Sequence, residues 1–381
     1  MKTPLSGHSL PQDDLLSDLV ADCIRHFEHT GRYDEDPIRN KTRVEIPAGF
    51  LAAAVAFGAG SDALKSTLIE LVLSHQQSGG YWLEYSYEPE EEAVGYYGAV
   101  PTCFAIISLS MAVEASPSEG LRQAMIRGAD YLYSVEQDGC FLKASINKTD
   151  VLNTNLLCAV ALLAAAAQLA PTSRRAKLYP EAARRAIRRA MSAQLFSGAL
   201  PYTHVGFQVP FLYHAMSTAL LESCQTYYPD ARSLSACLGA ARRFLMRMFD
   251  DRMSVRWDLE HHPEKSRASW MYAWSVLPVS RAYPARLPQL IQKIALLKTD
   301  TYLANESSQI PDVFYTAWTL LAVSLAKRDF RPSLKRRFSI LLWMSQWGRY
   351  GARIGYIGRY AVNKWILGRW DGLDKGPVEY W

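Results

Sequence analysis

Asp150-Val151-Leu152-Asn153-Thr154-Asn155-Leu156-Leu157 and Asp312-Val313-Phe314-Tyr315-Thr316-Ala317-Trp318-Thr319 both read Asp-Val-x-x-Thr where an apolar run begins. Two copies of one pattern at the head of two similar runs mark equivalent places in a repeated unit. Outward from these stretches the chain alternates two kinds of helix. Amphipathic segments with charges on one face cover Leu15 to His29, Ala63 to Ser74, Gly120 to Val135, Glu181 to Leu195, Leu234 to Phe249 and Leu287 to Leu297. Between them lie evenly apolar segments, at Pro47 to Gly58, Val100 to Ala115, Val151 to Leu169, Val209 to Tyr227, Ala268 to Arg281 and Val313 to Lys327. A helix that is apolar on every side is buried on every side. Six alternating pairs therefore predict an all-α fold, an (α/α)6 toroid with an inner ring inside an outer one.

The connections repeat as well. Gln76-Gln77-Ser78-Gly79-Gly80-Tyr81-Trp82 is followed about 59 residues later by Val135-Glu136-Gln137-Asp138-Gly139-Cys140-Phe141, and again by Gln194-Leu195-Phe196-Ser197-Gly198-Ala199-Leu200. A degenerate fourth copy is placed at Asp251 to Trp257. Glycine turns the chain after the outer helix, glutamine caps backbone groups, and the apolar residue packs beneath. These turns resemble the Gln-x-x-Asp-Gly-x-Trp turns of triterpene cyclases and the related protein prenyltransferases, over roughly residues 15 to 327, with the toroid expected over 15–330. That resemblance implies the toroid, a deep central pocket and an isoprenoid or isoprenoid-linked ligand such as a lipid-linked glycan precursor.

The catalytic motifs of that superfamily do not carry over. Its cyclases protonate substrate with Asp-x-Asp-Asp-Thr, whereas Leu152 and Asn153, or Phe314 and Tyr315, stand where the second and third carboxylates belong. Its prenyltransferases hold zinc through Asp-x-Cys, and Phe314 occupies the cysteine's place. No metal site is expected. Asp150 and Asp312 remain candidates for catalysis, with helix capping as their alternative use. A second chemistry is suggested by Asn153, Asn155, Tyr202, His204, Tyr213, His214 and Arg267: an amide and a cation to neutralise a uronate, with a histidine or tyrosine to move a proton. On that reading His204 or His214 and Tyr213 are proton carriers in β-elimination or epimerisation of a glycan, and Asn153 is the carboxylate partner. Tyr96, Tyr97, Trp270, Trp274, Tyr315 and Trp318, with further aromatics near the starts of the inner helices, are expected to line the pocket. His261-His262 reads as a polar loop.

The run Glu84 to Glu92 is the most acidic stretch. Its carboxylates suit either a magnesium ion against a diphosphate or, more commonly, a solvated loop; no cofactor is otherwise expected. The 381 residues, 49% hydrophobic and 21% charged, supply an ample core. Cys23, Cys103, Cys140, Cys158, Cys224 and Cys237 lack metal or disulfide spacing and read as reduced core thiols. Residues 1–14, the expected tail, show no secretory pattern, so a cytoplasmic protein is expected. Residues 331–381 are expected to form a basic, aromatic helical extension, and 331–370 suits peripheral contact with the inner membrane face. A net charge of +5 without a nucleic-acid motif argues against a nucleic-acid partner. Three functions stay open: isoprenoid-linked chemistry, acid–base processing of a glycan, and a non-catalytic scaffold.

Overall fold

Outer and inner helices differ in how much of their surface is buried, as the patterning requires. A computed structural model describes residues 11–33, 35–38, 41–83, 98–141, 150–256, 269–304 and 310–329. Among them are twelve α-helices. The outer ones are α1 (Pro11–Thr30), α3 (Asp62–Ser74), α5 (Glu119–Ser134), α7 (Arg175–Ala193), α9 (Ala231–Arg247) and α11 (Leu287–Leu296). The inner ones are α2 (Glu45–Phe57), α4 (Ala99–Ala115), α6 (Leu152–Ala167), α8 (Phe211–Ser223), α10 (Ser269–Ala282) and α12 (Val313–Asp329). Outer helix α9 buries one stripe, Leu234, Cys237, Leu238, Ala241 and Leu245. Inner helix α6 buries every residue from Leu152 to Ala165.

The ring closes. Helices α2, α4, α6, α8, α10 and α12 each pack on the next, and α12 packs back on α2. At that closure Gly49 lies so near α12 that a Cβ there would stand 2.4 Å from the Ala317 carbonyl oxygen. Outside, α1 meets α11. Inner-to-outer connections are short; the Gly58 turn and the Ser61 cap, whose hydroxyl accepts from the Leu64 N–H at 3.0 Å, show how abruptly the chain reverses. Outer-to-inner connections are long, so they gather at the end of the toroid where the inner helices begin. At the other end Arg328 of α12 reaches Ser110 and Glu114 of α4, at 3.3 and 3.2 Å.

The glycine turns join neighbouring repeats. The Gln76 side chain donates to the Gly80 carbonyl at 2.9 Å and to Ala124 of the next outer helix at 2.8 Å. Gln194 does the same to Gly198 and to Cys237, both at 2.9 Å. Gly198 has φ +90°, and a Cβ on it would meet the Ala240 carbonyl oxygen at 2.5 Å, so both backbone conformation and close approach demand glycine. The fourth turn lies two residues earlier than the sequence suggests. Asp250 N–H bonds to Ser254 and Met253 N–H to Asp250, matching Leu195 to Ala199 and Gly198 to Leu195, with Met253 at positive φ in the glycine's place.

The chain divides into units Met1–Arg331 and Pro332–Trp381. Helix α1 begins at Pro11, inside the stretch expected as a tail. The basic aromatic segment 331–370 lies outside the described residues. Among the described residues no helix is long and apolar enough to cross a membrane.

Candidate functional site

The fourth residue of an inner helix carries a structural duty that the sequence conceals. Trp82, Phe141, Leu200 and Leu303 each follow a turn, and each directs its backbone N–H at a side chain. The acceptors are Thr102 Oγ1 (3.0 Å), Asn155 Oδ1 (2.7 Å), His214 Nδ1 (3.0 Å) and Thr316 Oγ1 (3.0 Å), the fourth residues of α4, α6, α8 and α12. With Nδ1 accepting, the His214 proton sits on Nε2 and is donated to the Ala241 carbonyl at 3.1 Å. The ring is fully buried, and burial pulls its pKa down to about 4. Both nitrogens are committed to the backbone. The expected proton-carrier role of His214 and the ligand role of Asn155 are therefore corrected: both fasten a turn to the inner ring.

The two aspartates of the opening pattern also part company. Asp312 is a helix cap, accepting the Tyr315 N–H at 3.0 Å. The Thr316 N–H bonds to the Asp312 carbonyl, as the Asn155 N–H bonds to Val151, so Asp312 matches Val151 and the shared motif is out of register by one. Asp150 instead gathers a cluster. It accepts from Asn155 Nδ2 at 2.6 Å and from Arg189 Nε at 2.7 Å, and lies 3.8 Å from His204 Nδ1. His204 Nε2 is 3.3 Å from Ser192 Oγ. Burial and the neighbouring Asp150 carboxylate push the Cys140 thiol up to about 11. Asp312→Ala should cost about 1 kcal/mol, the usual loss for a cap. Asp150→Ala, which strands the half-buried Arg189, should cost about 2 kcal/mol. Urea unfolding checks both, and equal costs would contradict the separate roles.

A second cluster lies inside the ring. The Trp318 ring of α12 lies 4.7 Å from those of both Trp270 of α10 and Phe104 of α4, tilted at 55° to each. Helices α4 and α12 are not neighbours in the ring, so this contact spans its interior. Trp270 also meets Tyr213 (6.4 Å) and Tyr315 (6.2 Å), and Tyr213 stacks on Tyr202 at 4.5 Å. Burial, then Tyr202 and Tyr315, raise the Tyr213 pKa, so its hydroxyl keeps its proton. Arg43, ion-paired to buried Asp36 at 3.2 Å, lies over the Phe314 ring at 4.3 Å.

Polar atoms in this interior lack partners among the described residues. The indole N–H groups of Trp270, Trp274 and Trp318, the Asn153 amide oxygen and the Ser217 hydroxyl are buried without a hydrogen bond. Among the described residues Asn153 Nδ2 reaches only the Met216 sulfur, at 3.5 Å. By contrast Trp82, which belongs to a turn, donates its indole N–H to the Val72 carbonyl at 2.7 Å. A buried polar group is costly unless it is hydrogen-bonded, so these atoms call for partners from outside the chain, whether water or a ligand.

Of the residues singled out from sequence, the structure unites Asp150 with His204 and Asn155, and Tyr213 with Trp270, Tyr315 and Trp318. His214 and Asp312 both serve the backbone, His214 by fastening a turn and Asp312 by capping α12 at the Tyr315 N–H. Tyr96, Tyr97, Arg267, the 84–92 run and His261-His262 lie outside the described residues. Arg189, Phe104, Ser217 and Arg43 were missed. Arg189 sat within a basic run on an outer helix, and Phe104 and Ser217 within apolar runs, so only the three-dimensional register could single them out.

No family model matches the chain, and no curated protein sequence does. Solved structures do. An unsaturated glucuronyl hydrolase from Bacillus sp. GL1, described as responsible for the degradation of glycosaminoglycan, aligns with TM-score 0.59 at 13% identity, covering 84% of this chain and 97% of its own. A sugar epimerase from a ruminal bacterium aligns with TM-score 0.63 at 10% identity, covering 83% and 98%. A D-mannose isomerase aligns with TM-score 0.58 at 14% identity, covering 84% and 99%. What is shared is the α/α toroid.

These matches correct the resemblance drawn from the turns. The neighbours are a hydrolase, an epimerase and an isomerase named for sugars, not terpenoid cyclases or prenyltransferases. The Gln-Gly-aromatic turn is a fastening between repeats, and it does that work whatever chemistry the toroid hosts. The isoprenoid or lipid-linked partner is withdrawn with it. A polyprenyl chain offers no acceptor for three indole N–H groups and would leave them as unsatisfied as before.

Proposed function

We propose that this protein is a carbohydrate-processing enzyme whose sugar substrate enters at the long-loop end of the toroid and is held by the inner wall. The unpartnered groups of Trp270, Trp274, Trp318, Asn153 and Ser217 carry the reading. A sugar is dense in hydroxyls that both donate and accept, so one ring can satisfy indole donors and an amide acceptor together, while Trp270 and Tyr213 offer faces for its C–H surface. The sugar names of the structural neighbours support the same class.

The chemistry that fits is acid–base. Tyr213, held protonated, is the donor. His204 takes the accepting role, with Asp150 beside it to stabilise the imidazolium; its loop also carries Tyr202, which stacks on Tyr213. The direct check is intrinsic tryptophan fluorescence during titration with mannose, glucuronate and their oligosaccharides, paired with proton NMR of the sugar after incubation. Saturable quenching together with conversion that disappears in Tyr213→Phe is the expected result. Indifference of the fluorescence to every sugar would sink the reading.

A further inference from the structure

We propose a second glycan-binding site on the exterior of the toroid, a groove that takes an acidic sugar residue by its carboxylate. The proposal rests on the carbohydrate reading above and deepens it by naming the substrate as an acidic polymer. The groove holds about 460 Å³, room for a short oligosaccharide, between the third glycine turn and helix α9. Gly198 and Ala240 contribute no bulky side chain, Phe196 and Tyr283 contribute aromatic rings, and Arg243 and Arg247 contribute cations.

The repeat makes these residues informative. The position of Phe196 in the third turn is held by Ser78 in the first, Gln137 in the second and Asp251 in the fourth. Three repeats keep that exposed corner polar, whereas here a phenyl ring is 92% exposed beside the groove. Nothing in the fold requires it, since Gln194 and Gly198 make the fastening contacts. Arg175, Arg185, Arg189 and Arg242 on the outer helices each face a carboxylate, and within the described residues the two arginines of the groove are among those that do not. Arg247 instead spends one N–H on the Ser197 carbonyl at 2.8 Å and lies over Phe244, and Arg243 has no ion pair among the described residues. They are four residues apart on one exposed helix face, where like charges repel. A carboxylate between them relieves that repulsion, and guanidinium groups bind carboxylates through paired N–H bonds. A flat, C–H-rich ring carrying a carboxylate, as in a uronate, matches the exposed phenyl face next to the cations.

The test is calorimetric titration of the full-length protein at low ionic strength with a chondroitin tetrasaccharide, and with cellotetraose as the neutral control. Phe196→Ala and Arg243→Ala change exposed side chains, and an unaltered melting temperature confirms that each variant is folded. Each should weaken tetrasaccharide binding at least about tenfold, with cellotetraose bound far more weakly than the acidic sugar by the wild type. Unchanged affinity in both variants overturns the proposal, as does equal affinity for cellotetraose, or displacement of the tetrasaccharide by an equimolar amount of AMP or inorganic phosphate. Asn153→Leu separates the two sites. Binding lost in that variant but intact in the groove variants removes the groove and leaves the inner site standing; a wild type that binds no saccharide removes both.

Discussion

Acidification from about pH 7 to about pH 4 is expected to remove roughly 3 kcal/mol of stability through His214 alone. The sign follows from its environment. In the folded state burial holds the ring neutral down to a pKa of about 4, against an ordinary value of 6.5. Between those values the unfolded chain takes up a proton that the native state refuses, so acid favours unfolding. The contribution is complete above 6.5, erodes as pH falls, and is exhausted below 4. His214→Asn is the matching variant, because Asn155 performs the same backbone acceptance at the same position of α6. It should cost about 1–2 kcal/mol at neutral pH, since the Ala241 carbonyl loses its donor, yet show no dependence from this position. Other groups titrate in both proteins, so the difference between their urea midpoints across the range isolates the histidine. Two parallel curves would mean that the ring does protonate within the fold, and that its two hydrogen bonds do not fix it as described.

The same histidine shows how far the sequence could be read. Every helix of the toroid was legible, because burial of an inner helix on all sides demands an unbroken apolar run and a half-buried outer helix demands a charged face. The three turns that keep glycine were legible too, since a left-handed residue against a neighbouring backbone favours it; the fourth, with Met253 in that place, was read two residues late. What each polar residue does was much less so. Asn153, Asn155 and His214 all stand in the first turn of an inner helix, but an α-helix rotates its side chains by 100° per residue. One position faces the preceding turn and its free N–H; another faces the ring's interior. Asn155 and His214 occupy the first kind of place and Asn153 the second, and the sequence gives all three the same apolar setting. The Asp-Val-x-x-Thr pattern misled for a related reason. It aligned Asp150 with Asp312, whereas the hydrogen bonds align Val151 with Asp312. A one-residue slip turned a cap and an ion-pair hub into apparent twins. Arg189, the partner that separates them, comes from an outer helix whose basic run reads as solvated surface.

Replacing the unpartnered interior groups should stabilise the protein while disabling it. Ser217→Ala removes a hydroxyl that makes no hydrogen bond, and Asn153→Leu removes an amide whose oxygen has none and whose nitrogen meets only sulfur. Each unsatisfied group costs about 1–3 kcal/mol in the folded state, so the melting temperature should rise by about 2 °C or more in each variant. Sugar affinity should move the other way, falling about 10- to 100-fold, because a ligand hydroxyl is then buried without its partner. The opposed signs give the experiment its force. An ordinary core substitution lowers stability and affinity together, and an ordinary surface substitution changes neither. Only groups kept unsatisfied for a ligand yield a more stable, weaker-binding protein, which is the trade-off expected where function opposes stability. A gain in stability with sugar affinity intact would show that the orphaned groups are tolerated flaws of the core, and would remove the observation on which the inner site rests.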